Sequence, residues 1–318
     1  MRRWISEGEW SLAVSQGVAS LDSRAERERA YAQAAGRQAL ICSLSGGVDS
    51  ATSALVAQRA LPGRAVALLL PCSSEEELRG ERGKDIVDAG RVAGQLAMPS
   101  ATINLSDLWH QAVTVYRQGV ERLREQGVAV DAAQVEWAVN NLKPTLRMMT
   151  AGFFADALHG LTVGTDNAIE NFLGYFSVRG DGIADRQPIR DCTKAEVRDL
   201  AASGGLPDDL VQRTPTAGLW PGQTDEGELG FSYDQADALF VWLLARHVEG
   251  PDPVMDPTMT VRAAAVDALV ARADLPVPAA IAHRIIAQNR RTQFKRRADD
   301  LAAVLERRGL AAGRPSEA

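Results

Sequence analysis

Two rhythms of apolar and polar positions run through the first half of the chain. Short, nearly unbroken apolar runs at 40–44, 64–70, 100–105 and 161–164 end in Gly, Pro or polar turns and predict strands. Between them lie helical patterns at 23–36, 49–59 and 81–96, then two long ones at 107–125 and 131–159. Repeated β-α units of this kind predict an α/β fold, a doubly wound parallel sheet with helices on both faces. Ligands in such sheets sit at the carboxyl ends of the strands. From 165 to 233 the pattern becomes polar and loop-rich, with one clear helix at 194–203; loops of that length inside a domain are usually functional. Residues 249–257 hold three prolines and three acidic residues and read as a linker or exposed turn, and 261–308 reads as helical and basic. The expected organisation is an N-terminal arm (1–22), a main α/β domain (23–248), and a linker with a helical C-terminal extension that closes the site (249–318).

Composition narrows the class. The chain has 318 residues, 46% hydrophobic and 24% charged, which is ordinary for a globular protein with a sizeable core. A net charge of −6 argues against nucleic acid or an anionic membrane as partner. No apolar run approaches the ~18 residues that span a bilayer, and the N-terminus lacks a signal-peptide core, so the expected compartment is the cytoplasm. The three cysteines, Cys42, Cys72 and Cys192, form no C-x-x-C pair, so a disulfide framework or zinc site is not expected.

The first apolar run leads into Ser45-Gly46-Gly47-Val48-Asp49-Ser50. A strand, a tight glycine loop and a helix N-terminus present backbone N–H groups and a positive dipole end to an anion. The spacing and lysine of a Walker loop are absent. The stretch resembles the S-G-G-x-D-S loop of the ATP-pyrophosphatases, which split ATP between its α- and β-phosphates and adenylate a substrate. That resemblance assigns the pyrophosphate to the loop and places Asp49 near a Mg²⁺.

Four further clusters follow: Gly164-Thr165-Asp166-Asn167-Ala168-Ile169-Glu170; Gly174-Tyr175-Phe176-Ser177-Val178-Arg179-Gly180-Asp181-Gly182; Thr193-Lys194-Ala195-Glu196; and Pro215-Thr216 with Gln223-Thr224-Asp225-Glu226. Taken singly, each is compatible with a plain turn, cap or solvated lysine. In this order after the Ser-Gly-Gly loop, they resemble ammonia-dependent NAD⁺ synthetase over about residues 38–238 and again at Lys295-Arg296-Arg297. The resemblance implies a homodimeric ligase that adenylates the nicotinate carboxylate of deamido-NAD with Mg-ATP and passes the acyl group to ammonia. It puts Ser45, Gly46, Gly47, Asp49, Ser50, Leu70, Thr165, Lys194 and Thr216 around ATP and pyrophosphate. Asp49, Lys194 and Thr216 carry the catalysis, and Asp49 and Glu170 hold Mg²⁺. Hard carboxylates suit that ion. Asp181 and Asp185 fall in the stretch that meets the acyl substrate, and the Gln223–Glu226 loop closes over the reactants.

Three positions on the acyl-substrate side depart from the family pattern. Thr145 stands where the first arginine of N-x-K-A-R-x-R-M is expected, while Arg147 keeps the second. Val178 replaces a lysine and is followed by Arg179. Phe294 replaces the histidine of H-K-R, with Lys295 retained. Losing a charge-assisted hydrogen bond costs about 1.5–3 kcal/mol each. Either Arg147, Arg179 or Lys143 compensates, or the same adenylation serves another carboxylic acid.

Overall fold

Strand β1 (Ala39–Ser43) is buried over most of its length because it has a strand on either side and helices on both faces. Its neighbours are β2 (Ala65–Leu69) and β4 (Gly160–Val163), and β3 (Ser100–Thr102) lies beyond β2. All pairs are parallel, in the order β3-β2-β1-β4, with Leu40 opposite both Ala65 and Leu161. The computed structural model describes residues 19–73, 81–216, 222–249, 254–296 and 300–308. Most of the expected N-terminal arm, Arg297 and the tail from 309 lie outside the described residues.

The strands alternate faces, as their period of two requires. Leu40, Cys42, Ala67, Leu69 and Val163 share a core with helices α1 (Leu21–Ala34), α2 (Val48–Ala60) and α3 (Glu81–Gln95). Ala39, Ile41, Leu68 and Leu70 share another with Leu146, Ala151 and Ala155. Those three belong to the second of two long helices, α4 (Ser106–Glu125) and α5 (Ala132–Ala157). Helices on both faces make the sheet doubly wound, as the alternating pattern predicted.

The region after β4 is more helical than its pattern suggested. The expected helix is present as α7 (Lys194–Ser203), but α6 (Ala168–Leu173), α8 (Asp208–Val211) and α9 (Asp225–Leu229) accompany it. Helices of four to six residues are too short to show a 3.6-residue period. Next come α10 (Tyr233–Glu249), α11 (Val266–Val270), α12 (Ala279–Arg291) and α13 (Asp300–Arg307). With α6 they enclose a core of their own around Phe172, Phe240, Trp242 and Ile285. Asn289 ties it together: its amide donates to the Phe172 and Met259 carbonyls (2.7 and 3.0 Å) and accepts from Val261 N–H (2.8 Å).

Candidate active site

Ser45–Ser50 links β1 to α2 at the carboxyl end of the sheet. The loop is closed by its own serines. Ser45 N–H donates to Ser50 Oγ (3.2 Å), Ser50 Oγ donates to the Gly47 carbonyl (3.0 Å), and the two hydroxyls lie 3.0 Å apart. Gly46 has φ +82°, and a Cβ there would fall 2.5 Å from the Asp85 carbonyl oxygen, so the turn demands glycine. Asp49 sits in the first turn of α2.

Two helix N-termini converge on Asp49. Asn167 caps α6 in a capping box with Glu170, whose carboxylate accepts from Asn167 N–H (3.1 Å). The Asn167 amide also donates to Asp49 Oδ1 (3.0 Å). Thr193 caps α7 in a second capping box, which places Lys194 at the first helical position. Asp237, wholly buried on α10, accepts from the N–H groups of Lys194 and Ala195 (3.1 and 3.0 Å).

Lys194 Nζ lies 2.5 Å from Asp49 Oδ2 and 3.4 Å from Glu170 Oε1. Burial works against the Lys194 charge, but the Asp49 and Glu170 carboxylates outweigh it and raise the ammonium above the usual lysine range. Burial pushes Glu170 up to about 8; the Lys194 charge opposes that rise, and the Asp49 and Asp166 charges add to it. Asp166 is driven to about 7 by burial and by the charge of Asp181, against the pull of Arg190. Tyr233 O–H donates to Asp225 (3.1 Å) and reaches Glu170 (3.3 Å).

A cavity of about 480 Å³ opens over this cluster. Its walls include Ser45, Gly47, Asp49, Ser50, Leu70, Thr165, Glu170, Lys194 and Thr216. Tyr175, Phe176, Asp181, Arg147 and Lys295 line it too. Gly46 is not among the lining residues but shapes the loop beneath them. Arg147 Nε donates to the Leu70 carbonyl (3.1 Å), and its charge opposes the rise that burial imposes on Asp181. Thr216 Oγ1 donates to the Gln223 carbonyl (2.7 Å). Lys295 Nζ is fixed by the carbonyls of Gly174 and Phe176 (2.9 Å each).

The remaining sequence-selected residues stand apart from the cavity walls. Val178, Arg179 and Phe294 are exposed, Phe294 at 79%. Asp185 accepts from Thr162 N–H and Oγ1 (2.8 Å each) and braces β4. Thr145 Oγ1 donates to the Asn141 carbonyl one turn back (3.1 Å). The structure adds Asn167, Arg213, Tyr233 and Arg291 to the site. The sequence offered Thr165 or Asp166 as the cap here; the structure gives that role to Asn167, and its reach to Asp49, 118 residues away, was not legible.

Fold and loop together define an α/β chain with a glycine loop and a cavity at the carboxyl end of a parallel sheet. More particularly, the chain belongs to the NAD synthase family, whose profile matches residues 22–298. It is 37% identical over 198 residues to the NH(3)-dependent NAD(+) synthetase of Carboxydothermus hydrogenoformans, covering 62% of this chain and 74% of that one. It is 38% identical over 212 residues to the Archaeoglobus fulgidus protein of the same name, covering 66% and 78%. Among solved structures, it is similar to NMN synthetase from Francisella tularensis, with a TM-score of 0.62 at 25% identity, over 87% of this chain and 96% of that one. NAD+ synthetase from Burkholderia pseudomallei matches with a TM-score of 0.54 at 28% identity, over 77% and 95%.

Proposed function

We propose that the chain is an ammonia-dependent NAD⁺ synthetase, a ligase that forms a C–N bond by adenylating the nicotinate carboxylate of deamido-NAD. The observation that carries this reading is Lys194 held between Asp49 and Glu170 beside the Ser45–Ser50 loop, in one cavity with Asp181 and Lys295. A carboxylate oxygen of deamido-NAD attacks the α-phosphorus of ATP, and the bond to the β-phosphate breaks. Ammonia then attacks the acyl carbon, AMP leaves and one proton is released.

Each half of the cavity suits one part of this chemistry. The loop N–H groups and the Ser45 and Ser50 hydroxyls offer donors to the leaving pyrophosphate. Lys194 brings a permanent charge to the phosphates, which is where negative charge builds in the transition state. Thr216 supplies a hydroxyl beside it. Leu70 and Thr165 border the ATP at the ends of β2 and β4. Arg147, Asp181 and Lys295 face the acyl substrate, joined by Arg291 on α12. The helices after residue 254 close the acyl side, because α12 contributes Gln288 and Arg291 to its wall, and Thr292 follows.

Mg²⁺ fits the donor set. Among the described residues no group of three or more His, Cys, Asp or Glu side chains is gathered to cage a metal. Mg²⁺ is usually held by one or two carboxylates together with substrate phosphates, and Asp49 and Glu170 provide that pair. When bound, the ion would supply charge neutralisation on the phosphate oxygens. Glu170, lifted by burial, must lose its proton to take part.

A homodimer completes the reading. The long helices expose Val115, Tyr116, Trp137, Met149 and Phe153, each 57% exposed or more. Exposed large apolar side chains on neighbouring helices are the kind of surface a second copy would cover. No helix of the described residues is long and apolar enough to cross a membrane, and a cytoplasmic location suits a synthetase that consumes ATP. The test is pyrophosphate release with Mg-ATP and ammonium, using deamido-NAD and, as a separate arm, nicotinate mononucleotide. Turnover of deamido-NAD is expected. Turnover confined to the mononucleotide would overturn the substrate assignment, and no pyrophosphate from either acid would overturn the adenylation.

A further inference from the structure

Arg213 lies three residues before Thr216, and its side chain reaches back to the phosphate loop. One guanidinium nitrogen donates to the Gly46 carbonyl (2.8 Å) and to Asp85 Oδ1 (3.3 Å), and the other pairs with Asp88. Asp85 and Asp88 are one turn apart on α3; Asp88 is buried and also meets Arg91 (3.3 Å), which pairs with Asp209 at the surface (2.6 Å). None of these contacts was legible in the sequence, where Arg213 is an unremarked cation in a polar stretch.

The consequence follows from peptide geometry. The Gly46 carbonyl and the Gly47 N–H belong to one planar trans peptide, so fixing the direction of the carbonyl fixes that of the N–H. Glycine at φ +82° gives this plane little resistance of its own, because no Cβ restricts rotation about Gly46. The Gly47 N–H makes only a long contact within the loop, to Ser45 Oγ at 3.3 Å. Arg213 is therefore the strongest restraint on a peptide that could otherwise turn its carbonyl toward the phosphates.

We infer that Arg213 is a positioning residue that holds the Gly46–Gly47 peptide with its N–H available to the ATP phosphates, itself held by Asp85 and Asp88. It acts through the loop. Placed on the same segment as Thr216, it also joins that hydroxyl to the loop it works beside. The inference rests on the ATP half of the proposed function and is independent of which acid is activated.

The experiment is the Kd for Mg-ATP, measured without acyl substrate, together with inhibition by pyrophosphate and the KM for deamido-NAD. Arg213→Met is expected to weaken Mg-ATP and pyrophosphate binding about tenfold to a hundredfold, the span of one charge-assisted hydrogen bond. The KM for deamido-NAD should move by less than about twofold, a split that a general loss of structure would not produce. Arg213→Lys, which keeps the charge on one donor nitrogen in place of two, should recover part of the affinity. Asp88→Asn should lose affinity in the same direction by less, and Asp209→Asn should leave it unchanged. Wild-type Mg-ATP affinity in folded Arg213→Met, or equal weakening toward ATP and deamido-NAD, would overturn the inference. If Arg213→Met does not fold, Arg213→Lys and Asp88→Asn decide: wild-type Mg-ATP affinity in both overturns it. Wild type that binds Mg-ATP without turning over deamido-NAD removes the substrate assignment and leaves the role of Arg213 standing; wild type that does not bind Mg-ATP removes both.

Discussion

At the scale of single residues, charge and burial decide what each group contributes. Asp49→Ala and Glu170→Ala should each lower pyrophosphate release by about a hundredfold or more while the far-UV spectrum stays native, since each removes a carboxylate from the proposed Mg²⁺ pair. Either variant releasing pyrophosphate near the wild-type rate would sink the assignment. A second residue, Asp191, matters for stability. It is 2% exposed and paired with the fully buried Arg24 through two bonds of 2.7 and 2.8 Å. Burial alone would raise Asp191, but the Arg24 hydrogen bonds and charge outweigh it and hold the carboxyl at about 2. The folded value thus lies below the unfolded one of about 4. The pair's contribution is complete above pH ~4 and is lost as pH falls through ~2, and amounts to about 2–3 kcal/mol. Urea melts between pH 2 and 6 should show that acid limb. In Asp191→Asn the limb should flatten, and stability near pH 6 should already be lower because Arg24 is left buried without its counter-charge.

At the scale of elements, helix starts do the aiming. Thr193 and Asn167 terminate loops and begin α7 and α6, so Lys194 and Glu170 leave from the first turn of each helix toward the same point. Asn167→Ala removes the cap and the amide on Asp49 together. We expect about 1–2 kcal/mol of lost stability from the cap and a larger relative loss of pyrophosphate release, read from thermal melts and initial rates on the same preparation. A variant as active as wild type but less stable would confine Asn167 to capping. The α7 start was readable from Thr193-Lys194-Ala195-Glu196, because a capping box is a local signal. The packing of α6 was not. Its carbonyls at Phe172 and Leu173 are bound by Asn289, Gln288 and Thr292, all more than a hundred residues away. Asn289→Leu should cost upward of about 3 kcal/mol, because several buried backbone groups lose their partner at once; a denaturation midpoint within error of wild type would contradict that.

For the whole molecule, the unanswered surface is the set of exposed apolar side chains on α4 and α5. Light scattering at tens of micromolar should report a dimer, and Tyr116→Glu with Phe153→Glu should shift it to monomer, since both side chains are well exposed at 60% and 67%. A wild-type monomer would remove the dimer from the proposal. The same scale separates what the chain states locally from what folding adds. Strands β1 to β4, the helices between them and the Ser45–Ser50 loop were legible, because periodicity, glycine and capping residues act over a few neighbours. So was the candidate role of Asp49, Glu170 and Lys194, which stand in recognisable local clusters. That Lys194 meets both carboxylates, that Arg213 grips Gly46, and that Arg291 rather than Arg179 lines the cavity were settled only by tertiary structure. Contacts across 24 to 167 residues depend on how two cores pack against one sheet, and no local pattern of side chains encodes that packing.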